Sequence, residues 1–228
     1  MTALHIEEWG EGDRVAVLLH GITADSGTWW RVGPELARQG YRVLAPDLPG
    51  HGRSPRQDGY TLAAMREAVV AAVPERPALA LGHSLGALLL APLVDGAVLR
   101  PERVVYADPA WNAASGTTVT DYFRSQKDWD LEQIQKALPR WPAEAQRGKL
   151  ESLARWDPAT LQATADTPGY EPAVPALVVL ADPSATIPPD RAGRLRDRGF
   201  EVRIVPGTDH VLYIVDHDGF WEALDGWR

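Results

Sequence analysis

The sequence predicts an α/β fold built on a mostly parallel, doubly wound sheet, and three observations carry that expectation. Seven short apolar runs recur along the chain, most of them too solidly apolar for strands with one wet face, so they read as strands covered on both sides. Helical patterns separate most of these runs, and strand–helix–strand alternation sets successive strands parallel through right-handed crossovers. The alternation lapses between Trp111 and Pro172, where helix-like segments punctuated by prolines follow one another. A chain of 228 residues suits one domain carrying one inserted piece.

The first two runs, Leu4 to Trp9 and Val15 to His20, are separated only by Gly10, Glu11, Gly12 and Asp13, so the fold is expected to open with an antiparallel N-terminal hairpin. Trp29 to Gln39 reads as a helix that stops at Gly40, a residue free to take the left-handed conformation that ends helices. Tyr41 to Pro46 is the third strand, and Thr61 is placed to cap a helix over Leu62 to Val73. Pro77 to Val94 carries no charge and is about as long as a membrane span, but Gly82, His83, Ser84, Gly86 and Pro92 interrupt it. It reads as a buried strand over Ala78 to Leu81, a sharp turn, and a buried helix beginning near Gly86. Val104 to Ala107 is the next strand. Helical segments are expected around Asp121 to Lys127, Leu131 to Leu138 and Ala143 to Arg155, forming a small helical cap. The strand Ala176 to Ala181, a helix from Pro189 to Arg198 ending at Gly199, the strand Glu201 to Val205 and a final helix complete the body. The expected organisation is a core of residues 1–110 and 173–228 with a cap over 111–172.

Lys and Arg number 23 against 31 Asp and Glu, a formal charge of −8, which leaves no electrostatic footprint for a phosphate backbone or an anionic bilayer. Neither nucleic acid nor membrane is an expected partner; a small-molecule substrate is, for a monomer or homodimer. The absence of cysteine removes disulfides, thiolate metal sites and a cysteine nucleophile together. Met1 to Arg14 lacks the basic, apolar, small-residue order of a signal peptide, so a cytoplasmic location is expected.

The most informative string is Gly82-His83-Ser84-Leu85-Gly86, set between a strand and an apolar helix. This is G-x-S-x-G in the context it needs: a serine on a tight strand-to-helix turn, with glycines two residues to either side so that the strained backbone can pack closely. Its hydroxyl would stand at a helix N-terminus, where developing negative charge is favoured. The plain alternative is a glycine-rich turn with a passive serine.

Here the chain resembles the α/β-hydrolase family of serine hydrolases along nearly its whole length. Four landmarks come in the family's order: His20-Gly21 after an apolar strand, Asp47 through Ser54 after the next, Gly82 to Gly86, and Pro206-Gly207-Thr208-Asp209-His210 after the last strand. The resemblance implies Ser84 as nucleophile, His210 as base, and backbone N–H groups of Ile22 and Leu85 as an oxyanion hole, with no cofactor and no metal. His20 and His51 sit in loops whose family role is structural, His83 occupies the variable position beside the serine, and His5 and His217 have no motif around them.

Two aspartates compete for the acid. The family's commoner place is a few residues after the strand Ala176 to Ala181, but Ser184 stands there; Asp182 comes earlier, and Pro183 stiffens the chain behind it. Asp108, directly after Val104 to Ala107, resembles an alternative acid position that some members use. The balance goes to Asp108, with Asp182 kept as the alternative.

The cap carries Trp111, Trp129, Trp141 and Trp156, with Tyr122 and Phe123. Each has a plain packing role as its alternative, but one or two are expected to line a pocket. Nine acidic against seven basic side chains between Trp111 and Pro172 make no cationic funnel, so an apolar or aromatic ligand is expected. The expected activity is hydrolysis of a carboxylic ester or lactone through an acyl-enzyme. The same site would serve carbon–carbon bond hydrolysis, thioester hydrolysis or acyl transfer, and the fold also serves as a non-catalytic small-ligand receptor.

Overall fold

A computed structural model describes residues 3–112, 117–165 and 167–228. Seven strands form one sheet: β1 (Ile6–Trp9), β2 (Arg14–Leu19), β3 (Tyr41–Pro46), β4 (Leu79–His83), β5 (Arg103–Ala107), β6 (Leu177–Asp182) and β7 (Glu201–Pro206). Their order across the sheet is β1-β3-β2-β4-β5-β6-β7, parallel throughout except for the antiparallel pair β1 and β3.

The first expectation needs correction at this edge. β1 is antiparallel, as anticipated, but its partner is β3, with Ile6 opposite Pro46 and Trp9 opposite Val43, so no β1–β2 hairpin forms. The loop joining β1 to β2 instead crosses the start of β3. A Cβ on Gly10 would stand 2.4 Å from the Tyr41 carbonyl oxygen and one on Gly12 would stand 1.9 Å from that of Gly40, so only glycine lets the two backbones pass so closely.

The solidly apolar strands are buried on both faces because helices cover both. Val17 and Leu19 of β2 and Ala80 of β4 point into one core with α2 (Leu62–Ala72), α3 (Leu85–Asp95) and α7 (Pro189–Asp197). Ala16, Leu18, Leu79 and Leu81 point into the other with α1 (Val32–Arg38), α8 (Leu212–Val215) and α9 (His217–Glu222). This two-sided burial is why the strand periodicity is invisible in the sequence. Thr61 caps α2 as its side chain accepts from the Ala64 amide at 3.1 Å. The last helix of the sequence reading is two short ones, α8 and α9, parted at Asp216, whose carboxylate caps α9 through the Gly219 amide.

Between β5 and β6 lie α4 (Thr117–Ser125), α5 (Leu131–Ala137) and α6 (Ala143–Arg155), with short 3-10 turns at Gln126–Asp128 and Pro158–Ala163. They enclose a small core of their own around Ile134, Leu153, Trp156 and Leu161. The segment returns to the sheet through Tyr170, whose hydroxyl donates to Asp95 at 2.7 Å, while the Ala173 and Val174 amides bind the same carboxylate.

Candidate active site

Strand β4 runs directly into Ser84, whose backbone turns at φ 50°, ψ −112° before α3 begins at Leu85. A non-glycine residue at positive φ costs on the order of 1–3 kcal/mol and persists only where its surroundings hold it. The Ser84 amide donates to the Ala107 carbonyl at 3.1 Å, and its own carbonyl accepts from Leu88 and Ala110. Glycines let the turn close: a Cβ on Gly82 would lie 2.7 Å from the Ala87 nitrogen, and one on Gly86 would lie 2.2 Å from the Leu19 oxygen.

Ser84, His210 and Asp108 come together in a line. His210, in the loop between β7 and α8, has Nε2 2.8 Å from Ser84 Oγ and Nδ1 2.6 Å from Asp108 Oδ2. Asp108 is fully buried at the end of β5, at φ 37°. Its other oxygen accepts from the Ser184 hydroxyl at 2.6 Å and from the Ala181 amide at 3.3 Å. Ser184 therefore reaches from beyond β6 to hydrogen-bond the carboxylate of the neighbouring strand. Asp182 closes β6 with its residue exposed and its backbone opposite Pro206, while His210 Nδ1 is occupied by Asp108.

Ile22 follows Gly21, and a Cβ on Gly21 would lie 3.3 Å from Ser84 Cβ, so this loop runs beside the Ser84 turn. Gly21 to Ala24 is a turn closed by the Ala24 amide on the Gly21 carbonyl at 3.3 Å, with Thr23 at φ 58° in a place glycine usually takes. The backbone N–H groups of Ile22 and Leu85 meet no acceptor among the described residues. Lys149 of α6 reaches this loop, and burial lowers its pKa to about 7 against the opposing attraction of Asp25.

One participant is not singled out by the sequence. His83, beside Ser84, donates from Nε2 to the His210 carbonyl at 2.8 Å, and its Nδ1 faces the Tyr213 hydroxyl at 3.4 Å. Burial, reinforced by the neighbouring His210, holds His83 well below the usual imidazole pKa, so it stays neutral with a fixed tautomer. The position beside a G-x-S-x-G serine carries no sequence signal for this, because its partner is 127 residues away. His20 and His51 are scaffold. His20 Nδ1 meets the Gly21 carbonyl and its Nε2 accepts from the Leu48 amide; His51 Nδ1 meets the Pro49 carbonyl. Asp47 accepts from the Ser26 and Arg53 amides, which fastens the loop after β3 to the loop after β2.

A cavity of about 1200 Å3 lies over Ser84. Tyr122, Phe123, Trp129 and Trp141 line it with Ile22, Leu85, Leu88 and Leu138. Trp111 and Trp156 do not. Trp111 is buried edge-on against Tyr106 with Nε1 donating to the Ala87 carbonyl, and Trp156 is buried with Nε1 donating to Thr160 Oγ1 at 2.8 Å. Both side chains are taken up in packing and lie outside the cavity lining.

A mostly parallel sheet of this order, with a serine at the sharp turn after β4 and a histidine in the loop after the last strand, defines an α/β hydrolase. The chain belongs to that family: the alpha/beta hydrolase family model matches residues 16–223. Among curated relatives, a protein named pimeloyl-[acyl-carrier protein] methyl ester esterase from Edwardsiella ictaluri is 42% identical over 104 residues, a match that takes in 46% of this chain and 38% of that protein. The matched part is thus less than half of the relative's length. Among solved structures, the N-formylmaleamic acid deformylase of Pseudomonas putida S16 is similar with a TM-score of 0.79 at 20% identity, covering 97% of this chain and 95% of that one. An esterase from a marine microorganism is similar with a TM-score of 0.76 at 19% identity, covering 99% of each. The described residues include no helix long and apolar enough to cross a membrane.

Proposed function

We propose that the protein is a serine esterase that cleaves a carboxylic ester or lactone of an apolar or aromatic substrate through an acyl-enzyme. The observation that carries this reading is the continuous hydrogen-bonded line from Ser84 Oγ through His210 to Asp108, at 2.8 and 2.6 Å. His210 Nε2 accepts the serine proton as Oγ attacks the carbonyl carbon, and Asp108 orients the ring and balances the imidazolium that forms. The oxyanion is held by the Leu85 and Ile22 N–H groups. The imidazolium returns its proton to the leaving alkoxide, and a water molecule, activated by the same ring, hydrolyses the acyl-enzyme to free acid and Ser84. The aromatic lining of the cavity supports an apolar acyl or alcohol portion. The ester chemistry in the name of the Edwardsiella relative agrees with this bond class.

The test is turnover of aryl esters and lactones by wild type and Ser84→Ala, with fluorophosphonate labelling followed by intact mass. Wild type is expected to turn over at least part of the panel and to gain one label at Ser84. Ser84→Ala is expected to lose both while keeping its melting temperature. Unchanged hydrolysis by the mutant would falsify the nucleophile assignment.

A further inference from the structure

We infer that Lys149 is a positioning residue for the oxyanion loop: from α6 it holds the Thr23 turn so that the adjoining Ile22 N–H faces the carbonyl attacked by Ser84. This rests on the esterase reading above. Lys149 Nζ donates to the Thr23 carbonyl at 2.9 Å and to Thr23 Oγ1 at 2.6 Å, so one amino group grips both the main chain and the side chain of a single residue. That residue needs holding. Thr23 is buried, β-branched and at φ 58°, the third position of the Gly21–Ala24 turn, where a residue with a Cβ does not settle unaided.

The loop has few other anchors on its outer side. Gly21 is wedged against His83 and Ser84, and Asp25 is tied to the Gly27 amide and paired with Arg155 of α6 at 3.7 Å, which leaves the Ile22–Thr23 step between them to be held by Lys149. An oxyanion hole works because its donors are already oriented when charge develops, so a contact that fixes the loop acts on the transition state more than on substrate binding. The lysine also lies along the cavity wall, where a direct grip on substrate is the competing role. The two differ in what they change: a loop anchor governs kcat, a substrate contact governs KM.

The experiment measures kcat and KM for an aryl ester turned over by wild type, for Lys149→Met, Lys149→Arg, Thr23→Gly and the Lys149→Met/Thr23→Gly pair, each checked for folding by its melting curve. Lys149→Met is expected to lower kcat about 10- to 100-fold with KM within about twofold, since a misplaced oxyanion donor costs on that scale. Lys149→Arg is expected to restore part of the loss. Glycine takes positive φ without strain, so the loss caused by Lys149→Met is expected to shrink in the Thr23→Gly background, a non-additivity that a general loss of stability does not produce. If Lys149→Met does not fold, Lys149→Gln, which keeps one donor, is read in the same cycle.

An unchanged kcat, a raised KM at constant kcat, or equal losses in both backgrounds would each overturn the inference. A wild type with neither turnover nor fluorophosphonate labelling would instead remove the esterase reading, and this inference with it.

Discussion

Asp108 and Asp182 end neighbouring strands on the same side of the sheet, and only the turn of the backbone separates their fates. Asp108 leaves β5 at φ 37° with its carboxylate against His210, whereas Asp182 stays in the β6 ladder opposite Pro206 and faces solvent. Asp108→Asn is therefore expected to cut turnover by about 10³- to 10⁴-fold, because an amide oriented by Ser184 leaves the ring in the wrong tautomer to act as base. Asp182→Asn is expected to stay within about threefold of wild type, as exposed substitutions away from a site usually do. A crippled Asp182→Asn beside a near-normal Asp108→Asn would reverse the assignment. The sequence marks Ser84 and His210 legibly, since each sits in a local string of special residues. It marks Asp108 poorly, because Ser184 looks like a gap when read along β6. Its meaning lies across the strand ends, where its hydroxyl supports a carboxylate 76 positions earlier.

The elements show the same division between local and cross-chain information. All seven strands appear within two residues of where their apolar runs place them, and α2, α6 and α7 start and stop within a residue or two of the sequence reading, because caps, prolines and glycines act locally. The N-terminal pairing was missed because a four-residue link between two apolar runs reads as a hairpin, while nothing local tells that β3 slides between them. Among the helices between β5 and β6, aromatic richness was legible but its division of labour was not. Trp156 anchors the small core with Ile134, Leu153 and Leu161, so Trp156→Ala is expected to destabilise the fold by about 3–5 kcal/mol in urea unfolding. Trp129 is half-buried at the cavity wall, edge-on to Tyr122. Trp129→Ala is expected to shift the ranking of large against small ester substrates while leaving the fluorophosphonate rate within about twofold, since the reacting groups come from other elements. A variant that loses large and small substrates equally would remove Trp129 from the substrate wall.

For the molecule as a whole, buried imidazoles link stability to pH, among them His20, His51 and His83. Burial lowers the pKa of His20 against the pull of Asp47, lowers that of His51 to about 3 with help from His20, and lowers that of His83 well below its ordinary 6.5. Each is neutral in the fold and takes up a proton near pH 6.5 once unfolded. Their neutral state thus contributes stability fully above about pH 6.5, and that stability is lost as pH falls toward the folded values. Each contributes a slope of up to about 1.4 kcal/mol per pH unit over that window. Asp25 runs the other way: burial and the Asp47 charge raise its pKa, and acidification relieves that cost at the low end of the range. The expected result is a melting temperature that drops from pH 7.5 to pH 5; a flat or rising trend would contradict it. The bond from Lys149 to Thr23 also bears on how such a chain diversifies. Segments hung between two strand ends invite wholesale exchange, since a donor segment can bring a new pocket to an unchanged body. On the proposal that Lys149 positions the Thr23 turn, the segment between β5 and β6 carries the brace for a loop of the body, so taste and competence are inherited together. A chimaera that imports only a foreign pocket would keep the serine, histidine and aspartate yet lose the grip that sets their oxyanion loop.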